Sequence, residues 1–177
     1  MKSNIKIAIS GRSGCGNTTV SKMAADALNL RCVNFTFRNL AHERGMELKE
    51  VLHLAIKDES WDREVDTRQL ALARENGGCV LGSRLAIWML KEADLKVYLY
   101  AEAEIRAARI VNREGGNLDE VAAFTNKRDR QDYARYLRLY NIDTDDYSFA
   151  DLVINTGKHT PEEITDLIVQ KAQSIVE

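Results

Sequence analysis

The chain has 177 residues, of which 45% are hydrophobic and 29% charged, with a formal net charge of −2. That length fits one compact domain with a real core, and the near-neutral balance excludes the overall basic field that draws a protein to nucleic acid or an anionic membrane. No apolar run approaches the roughly 20 residues that span a bilayer, and Met1 to Ser3 with the strand-like run after them carry no signal-peptide pattern. Cys15, Cys32 and Cys79 are an odd count without metal-ligand spacing, so they read as free thiols and the expected compartment is the cytoplasm.

The first apolar run, Ile5–Ile9, is short and β-rich and predicts a strand buried on both faces. Directly after it stands Gly11-Arg12-Ser13-Gly14-Cys15-Gly16-Asn17-Thr18-Thr19, followed by a helix over Thr18–Leu28 whose apolar positions Val20, Met23, Ala24, Ala27 and Leu28 share one face. A glycine-rich turn between a strand and a helix is the setting of a P-loop. Glycines let backbone N–H groups turn toward phosphate oxygens, and the helix start adds unpaired donors and partial positive charge. Thr18 sits where a hydroxyl would hold Mg²⁺. One departure stands out: the P-loop pattern G-x-x-x-x-G-K-[ST] has lysine where this chain has Asn17.

Further along, Cys32–Phe35 is another strand candidate, and helices are expected over Phe37–Arg44, Leu48–Lys57 and Arg63–Glu75. The strand Cys79–Leu81 is followed by Arg84, placed beyond a strand's carboxyl end, where ligands of open α/β sheets bind. After the strand Leu95–Tyr100 comes a helix over Glu102–Arg113. On it Arg106, Arg109 and Arg113 stand at i, i+3 and i+7, within an arc of about 60°; such a row of like charges suits a polyanionic ligand. The next helix, Leu118–Tyr140, carries Arg128, Asp132 and Arg135 on one face, readable as a surface ion pair or as a nucleotide clamp, with arginines on phosphate and the carboxylate on a ribose hydroxyl or base amino group. Asp143, Asp145 and Asp146 form a solvated turn, since neither spacing nor glycine content suits an EF-hand. Trp61 and Trp88 read as packing residues, and His42, His53 and His159 have no evident partners. The strand Leu152–Ile154 and a helix over Pro161–Val176, capped by Thr160, complete the chain. Strands alternating with helices predict an α/β fold with a parallel sheet.

Taken together, these residues resemble the short, archaeal-type cytidylate kinases among the nucleoside monophosphate kinases. The resemblance rests on Ile7–Val20, Phe37-Arg38 with Leu40-Ala41 and Glu43-Arg44-Gly45, Asp62-Arg63, Arg84-Leu85-Ala86 with Trp88-Met89, Asp94-Leu95-Lys96, Arg106 to Gly115, and Asp151 to Thr156. It implies a single P-loop kinase domain over residues 1–177: five parallel strands flanked by helices, a helical monophosphate-binding insertion at about 37–76 and an arginine-rich lid at about 106–140. It implies ATP and Mg²⁺ as cofactors and the reaction ATP + CMP → ADP + CDP, with dCMP as a second acceptor. Arg38 and Arg84 would contact CMP, Arg128, Asp132 and Arg135 would clamp it, and Arg106, Arg109 and Arg113 would be the lid arginines. These small molecules are the expected partners, with neither nucleic acid nor membrane, and a monomer is favoured. The family commonly carries threonine where Asn17 stands. The chain departs from it at Cys32 to Phe35, in place of a serine-alanine-glycine step, and at Gly82 and Ser83, in place of an acidic residue and glycine before the arginine. Two alternatives remain at this point: a kinase for another nucleotide or nucleoside, and a nucleotide-binding protein without turnover.

Overall fold

A computed structural model describes residues 4–176; Met1–Ser3, part of the expectation about the N-terminus, lie outside the described residues. The first strand, β1 (Lys6–Gly11), runs into α1 (Asn17–Leu28) through the glycine-rich loop. A short β2 (Arg31–Val33) leads to three successive helices, α2 (Phe37–Glu43), α3 (Leu48–Lys57) and α4 (Ser60–Arg74). Then follow β3 (Cys79–Gly82), the four-residue α5 (Ala86–Met89), β4 (Leu95–Tyr100), α6 (Ala103–Glu114), α7 (Leu118–Tyr140), β5 (Leu152–Asn155) and α8 (Pro161–Val176). The strands pair in parallel in the order β2-β3-β1-β4-β5, so β1 is central and its carboxyl end delivers the loop between β3 and β4.

The unbroken apolar runs behave as strands covered on both faces. Ile7, Ile9, Val97 and Leu99 pack with Val20 and Ala24 of α1 and Ile164 and Ile168 of α8. The alternate residues Ala8, Leu81 and Tyr98 face Ala73, Ala86, Ile87 and Leu90 on the other side. The period of two along β1 and β4 thus divides one core into two layers. Strand starts are pinned by carboxylates: Lys6 N donates to Asp94 Oδ2 at 2.7 Å and Lys96 N to Asp151 Oδ2 at 2.8 Å.

Helix ends follow local chemistry. Thr160 and Glu163 form a reciprocal capping box, with bonds of 3.2 and 2.9 Å, as the threonine-proline start suggests. Asn117 accepts from Asp119 N and Glu120 N at the start of α7, and Asn29 and Asn141 close α1 and α7 in the left-handed conformation. A smaller cluster of Phe35, Leu40 and Val65, with Trp61 against it, holds α2 and α4 together beside the sheet. The Arg44 guanidinium lies over the Trp61 ring at 4.6 Å. Trp88 is likewise a packing residue, edge-on to Tyr98 and Phe149. Only α5 escapes sequence reading; four residues are too few to show a helical period.

A cleft between the glycine loop and α4 as the candidate functional site

Beyond the carboxyl ends of the strands opens a cleft of about 550 Å³. One wall is the glycine loop with Thr18 and Thr19; the opposite wall is Asp62, Val65, Asp66 and Gln69 of α4 with residues 34–37; Arg84, Arg109, Arg113, Arg128 and Arg135 line it between them. The loop has the conformation a phosphate cradle needs. Gly14 and Gly16 have φ of +83° and +87°, a region costly to residues with a Cβ. The two glycines differ in purpose. A Cβ on Gly14 would stand 2.8 Å from the Arg106 carbonyl oxygen, whereas nothing lies within 4 Å of one on Gly16. Gly14 therefore allows α6 to abut the loop, and Gly16 leaves space for a ligand where α1 begins. Thr18 is exposed on the first turn of α1 and lines the cleft. Backbone donors at a helix start with a free hydroxyl beside them fit a Mg²⁺-bound polyphosphate.

Asn17 lines the cleft, but its side-chain amide is tied on both sides. Its Nδ2 donates to the Ser83 carbonyl at 3.2 Å and its Oδ1 accepts from Ser21 Oγ at 2.9 Å. The residue ties the loop to the end of β3, directly before Arg84. Gly82 makes the tie possible, because a Cβ there would lie 2.4 Å from Ser21 Oγ. Cys15 is buried beneath the loop, and burial pushes its thiol above the usual range, with Arg106 opposing. It stays protonated, which suits packing and not redox sensing.

The arginine row on α6 divides into three roles. Arg106 is buried and does not line the cleft: it pairs with Asp129 at 2.8 Å and donates to the Ser13 carbonyl at 3.1 Å. Helical spacing aligned it with its neighbours as an expected lid arginine, but its side chain sits where α6 meets the loop and α7. Arg109 donates to the Gly14 carbonyl at 3.2 Å and to the Thr156 side chain and carbonyl at 2.9 and 2.5 Å, bracing the loop against the end of β5. Arg113 is exposed at the rim, beside Glu114 at 2.5 Å. Arg12 pairs with Asp145 at 2.5 Å and Asp129 at 4.0 Å, so the acidic turn is more than a solvated one: it contacts the loop.

The α7 face also differs from its expected use. Asp132 is buried, ion-paired with Arg84 and, at 2.9 Å, with Arg135, and does not line the main cleft. A carboxylate caught between two guanidiniums orients them. Burial, reinforced by Arg128 and Arg135, pushes the Arg84 guanidinium down to about 10, which still leaves it charged at neutral pH. An anion in the cleft would relieve that crowding of cations. Arg135 also reaches Asp62 at 3.3 Å. Arg128 lines the cleft and pairs with no carboxylate among the described residues. Arg38 is exposed in the first turn of α2 and outside the cleft lining, although its neighbours Thr36 and Phe37 line it. The first turn of a helix presents successive residues about 100° apart, so Phe37 and Arg38 cannot share a direction.

Sequence reasoning missed the polar face of α4. Asp62, Asp66 and Gln69 stand at i, i+4 and i+7, the same kind of signal as the arginine row, and only Asp62 enters the resemblance above, within Asp62-Arg63. Burial, with Asp62 adding to it, pushes the Asp66 carboxyl up to about 6, against the opposing Tyr140 hydrogen bond and Arg135. Tyr140 donates to Asp66 Oδ2 at 2.6 Å, and its own ionisation is pushed upward by burial and by that carboxylate.

Comparison with known proteins agrees with this geometry. The model of the cytidylate kinase-like family matches residues 6–158. Cytidylate kinase 2 of Borreliella afzelii is 49% identical over 168 residues, covering 93% of this chain and 94% of the relative. A cytidylate kinase of Pyrococcus horikoshii is 42% identical over 169 residues, covering 94% and 88%. Among solved structures, a shikimate kinase from Acinetobacter baumannii in complex with shikimate superposes with a TM-score of 0.65 at 18% identity, covering 98% of this chain and 95% of the other. A deoxyadenosine kinase from M. mycoides with bound dATP gives 0.59 at 16%, covering 96% and 100%. At such identities these two speak for the P-loop kinase fold alone. No described helix is long and apolar enough to cross a membrane. A glycine loop with the conformation a phosphate cradle needs, arginines lining the cleft beside it, a five-stranded parallel sheet and a sequence matched over most of its length identify the chain as a member of the cytidylate kinase-like family.

Proposed function

We propose that the chain transfers the terminal phosphoryl group of ATP to CMP, and to dCMP, as a nucleoside monophosphate kinase. The observation that carries the reading is the cleft itself, in which Arg84, Arg128 and Arg135 stand between the glycine loop and the α4 wall. The names of relatives up to 49% identical support CMP as the acceptor. In this reading the loop from Gly11 to Thr19 holds the ATP phosphates. Thr18 would hold Mg²⁺, which spreads the charge of the β- and γ-phosphates. Arg84 and Arg135, fixed by Asp132, grip the acceptor phosphate. That phosphate is already ionised, so no general base is needed, and positioning with charge neutralisation supplies the catalysis. Residues 37–76 act as the acceptor-binding region and 106–140 as the lid.

The missing lysine leaves a demand for positive charge near the transferring group. Arg128 and Arg113 meet it best, since both line the cleft and neither is braced against the loop, whereas Arg106 lies outside the cleft and Arg109, although it lines it, is committed to the Gly14 carbonyl and Thr156. ADP release coupled to a reporter, with CMP, dCMP, UMP, AMP and GMP compared as acceptors, tests the reading. The expected result is the highest kcat/KM for CMP or dCMP. A tenfold preference for AMP or GMP overturns the acceptor, and ATP binding without turnover on any acceptor overturns the enzyme.

A further inference from the structure

The wall of the cleft opposite the glycine loop is acidic and amide-bearing, and each of its polar side chains already has one anchoring bond. Asp62 pairs with Arg135, Tyr140 donates to Asp66 Oδ2 at 2.6 Å, and Gln69 Nε2 donates to the Phe35 carbonyl at 2.6 Å. The last bond settles the amide's orientation, because a carbonyl can only accept. What these bonds leave over on Asp66 and Gln69, both in the cleft lining, is a carboxylate oxygen and an amide oxygen. Both are acceptors.

Charge sets which end of a nucleotide goes there. The phosphate of the acceptor is drawn to Arg84, Arg128 and Arg135 and repelled by Asp62 and Asp66, so the base is the end that meets α4. At position 4 cytosine presents an amino group with two N–H donors, and uracil a carbonyl oxygen. We propose that Asp66 and Gln69 read the exocyclic amino group of the acceptor base, its two N–H groups donating to Asp66 Oδ1 and Gln69 Oε1. Tyr140 is the positioning residue: its bond to Oδ2 fixes the carboxylate plane and leaves Oδ1 for the ligand. With uracil the same two oxygens meet a third acceptor and no donor, an arrangement that rejects an analogue far more strongly than shape alone.

This assignment rests on the CMP kinase reading, and the wild-type enzyme in the same assay keeps the two apart: without turnover of CMP that reading falls, whereas the base-reading assignment is judged on ratios. One probe is Asp66→Asn, which retains an oxygen for Tyr140 and presents an NH₂ in place of an acceptor. The expected result is a loss of about 100-fold in kcat/KM for CMP and a gain of about tenfold for UMP, with KM for ATP unchanged. The second probe needs no variant: the monophosphate of 2-pyrimidinone ribonucleoside, which lacks the amino group, is expected to lose about 100-fold against CMP on the wild type. Equal losses for CMP and UMP in Asp66→Asn, or undiminished turnover of the 2-pyrimidinone analogue, overturn the assignment.

Discussion

Replacing Arg106 by alanine separates a structural arginine from a catalytic one. Its side chain is 4% exposed and that of Asp129 is 9% exposed, with 2.8 Å between the charged atoms. Truncation leaves the Asp129 carboxylate enclosed with Arg12, at 4.0 Å, as its nearest ion-pair partner, and leaves the Ser13 carbonyl without its donor. Breaking a buried pair from one side costs about 3–5 kcal/mol. For a domain of this size each kcal/mol moves Tm by about 2–4 °C, so Arg106→Ala is expected to melt about 6–20 °C below the wild type. The loop loses a support from behind, so KM for ATP rises as well. Removing Asp129 together with Arg106 takes away both charges, and the double variant is expected to fall short of the sum of the two singles by about 1–3 kcal/mol. Thermal melts followed by circular dichroism, with ATP kinetics on the same samples, make the comparison. If Arg106→Ala melts within 2 °C of the wild type while kcat falls about 100-fold, the residue acts on the transferred phosphoryl group and its place behind the loop has been misjudged.

Three further outcomes are expected. Asn17→Lys restores the lysine of the P-loop pattern but removes the ties to Ser83 and Ser21, so it should lower stability by about 1 kcal/mol without raising kcat; a tenfold gain in kcat would show that the missing charge limits turnover. Arg84→Lys keeps the charge but loses the planar fork, and should raise KM for CMP while ATP affinity measured by titration stays nearly constant; unchanged CMP kinetics would remove Arg84 from the acceptor site. The Asp66 carboxyl, raised to about 6 from 3.8 by burial with Asp62 nearby and Tyr140 and Arg135 opposing, binds its proton more tightly in the folded state. Its contribution to stability is therefore fully present below about pH 4 and lost as pH rises through 6, so Asp66→Asn should gain in Tm relative to the wild type across that interval and hold the gain above it. A flat difference between the two proteins from pH 4 to 7 would contradict this.

The elements most legible in the sequence are those with a long period or a sharp punctuation mark. The expected bounds of α3, β4, α7 and α8 agree with the structure residue for residue, because α7 and α8 are long amphipathic stretches, Thr160-Pro161 marks a start, and β4 is an unbroken apolar run. The loop between β1 and α1 is equally plain, since glycines at fixed spacing have few other uses. Helical spacing was a poorer guide to the site. It gives the direction of a side chain from its own axis but not what stands opposite: Arg106, Arg109 and Arg113 share a face, yet one meets Asp129, one Thr156 and one the solvent. The buried role of Asp132 depends on Arg84, from a distant part of the chain, arriving beside it. Nothing in the sequence sets Asp66 and Gln69 apart from the other polar residues of α4, and it is the packing of that helix beside the loop that brings them into the cleft lining.

The fit between Gly82 and Ser21 constrains the routes by which this site can change. A Cβ on residue 82 would lie 2.4 Å from Ser21 Oγ and 2.7 Å from its Cβ, so even alanine at 21 leaves an overlap that real contacts do not show. An acidic side chain at 82 thus becomes admissible only after 21 has become glycine, and glycine there unhooks Asn17 from its hydroxyl partner and costs helix propensity of about 0.5–1 kcal/mol. The two steps are ordered: 21 before 82, through an intermediate that is less stable than the starting chain. A chain that reached Gly82 and Ser21 together sits behind a barrier to single substitutions, and libraries that vary position 82 alone would record it as intolerant when the obstacle is one hydroxymethyl group on α1.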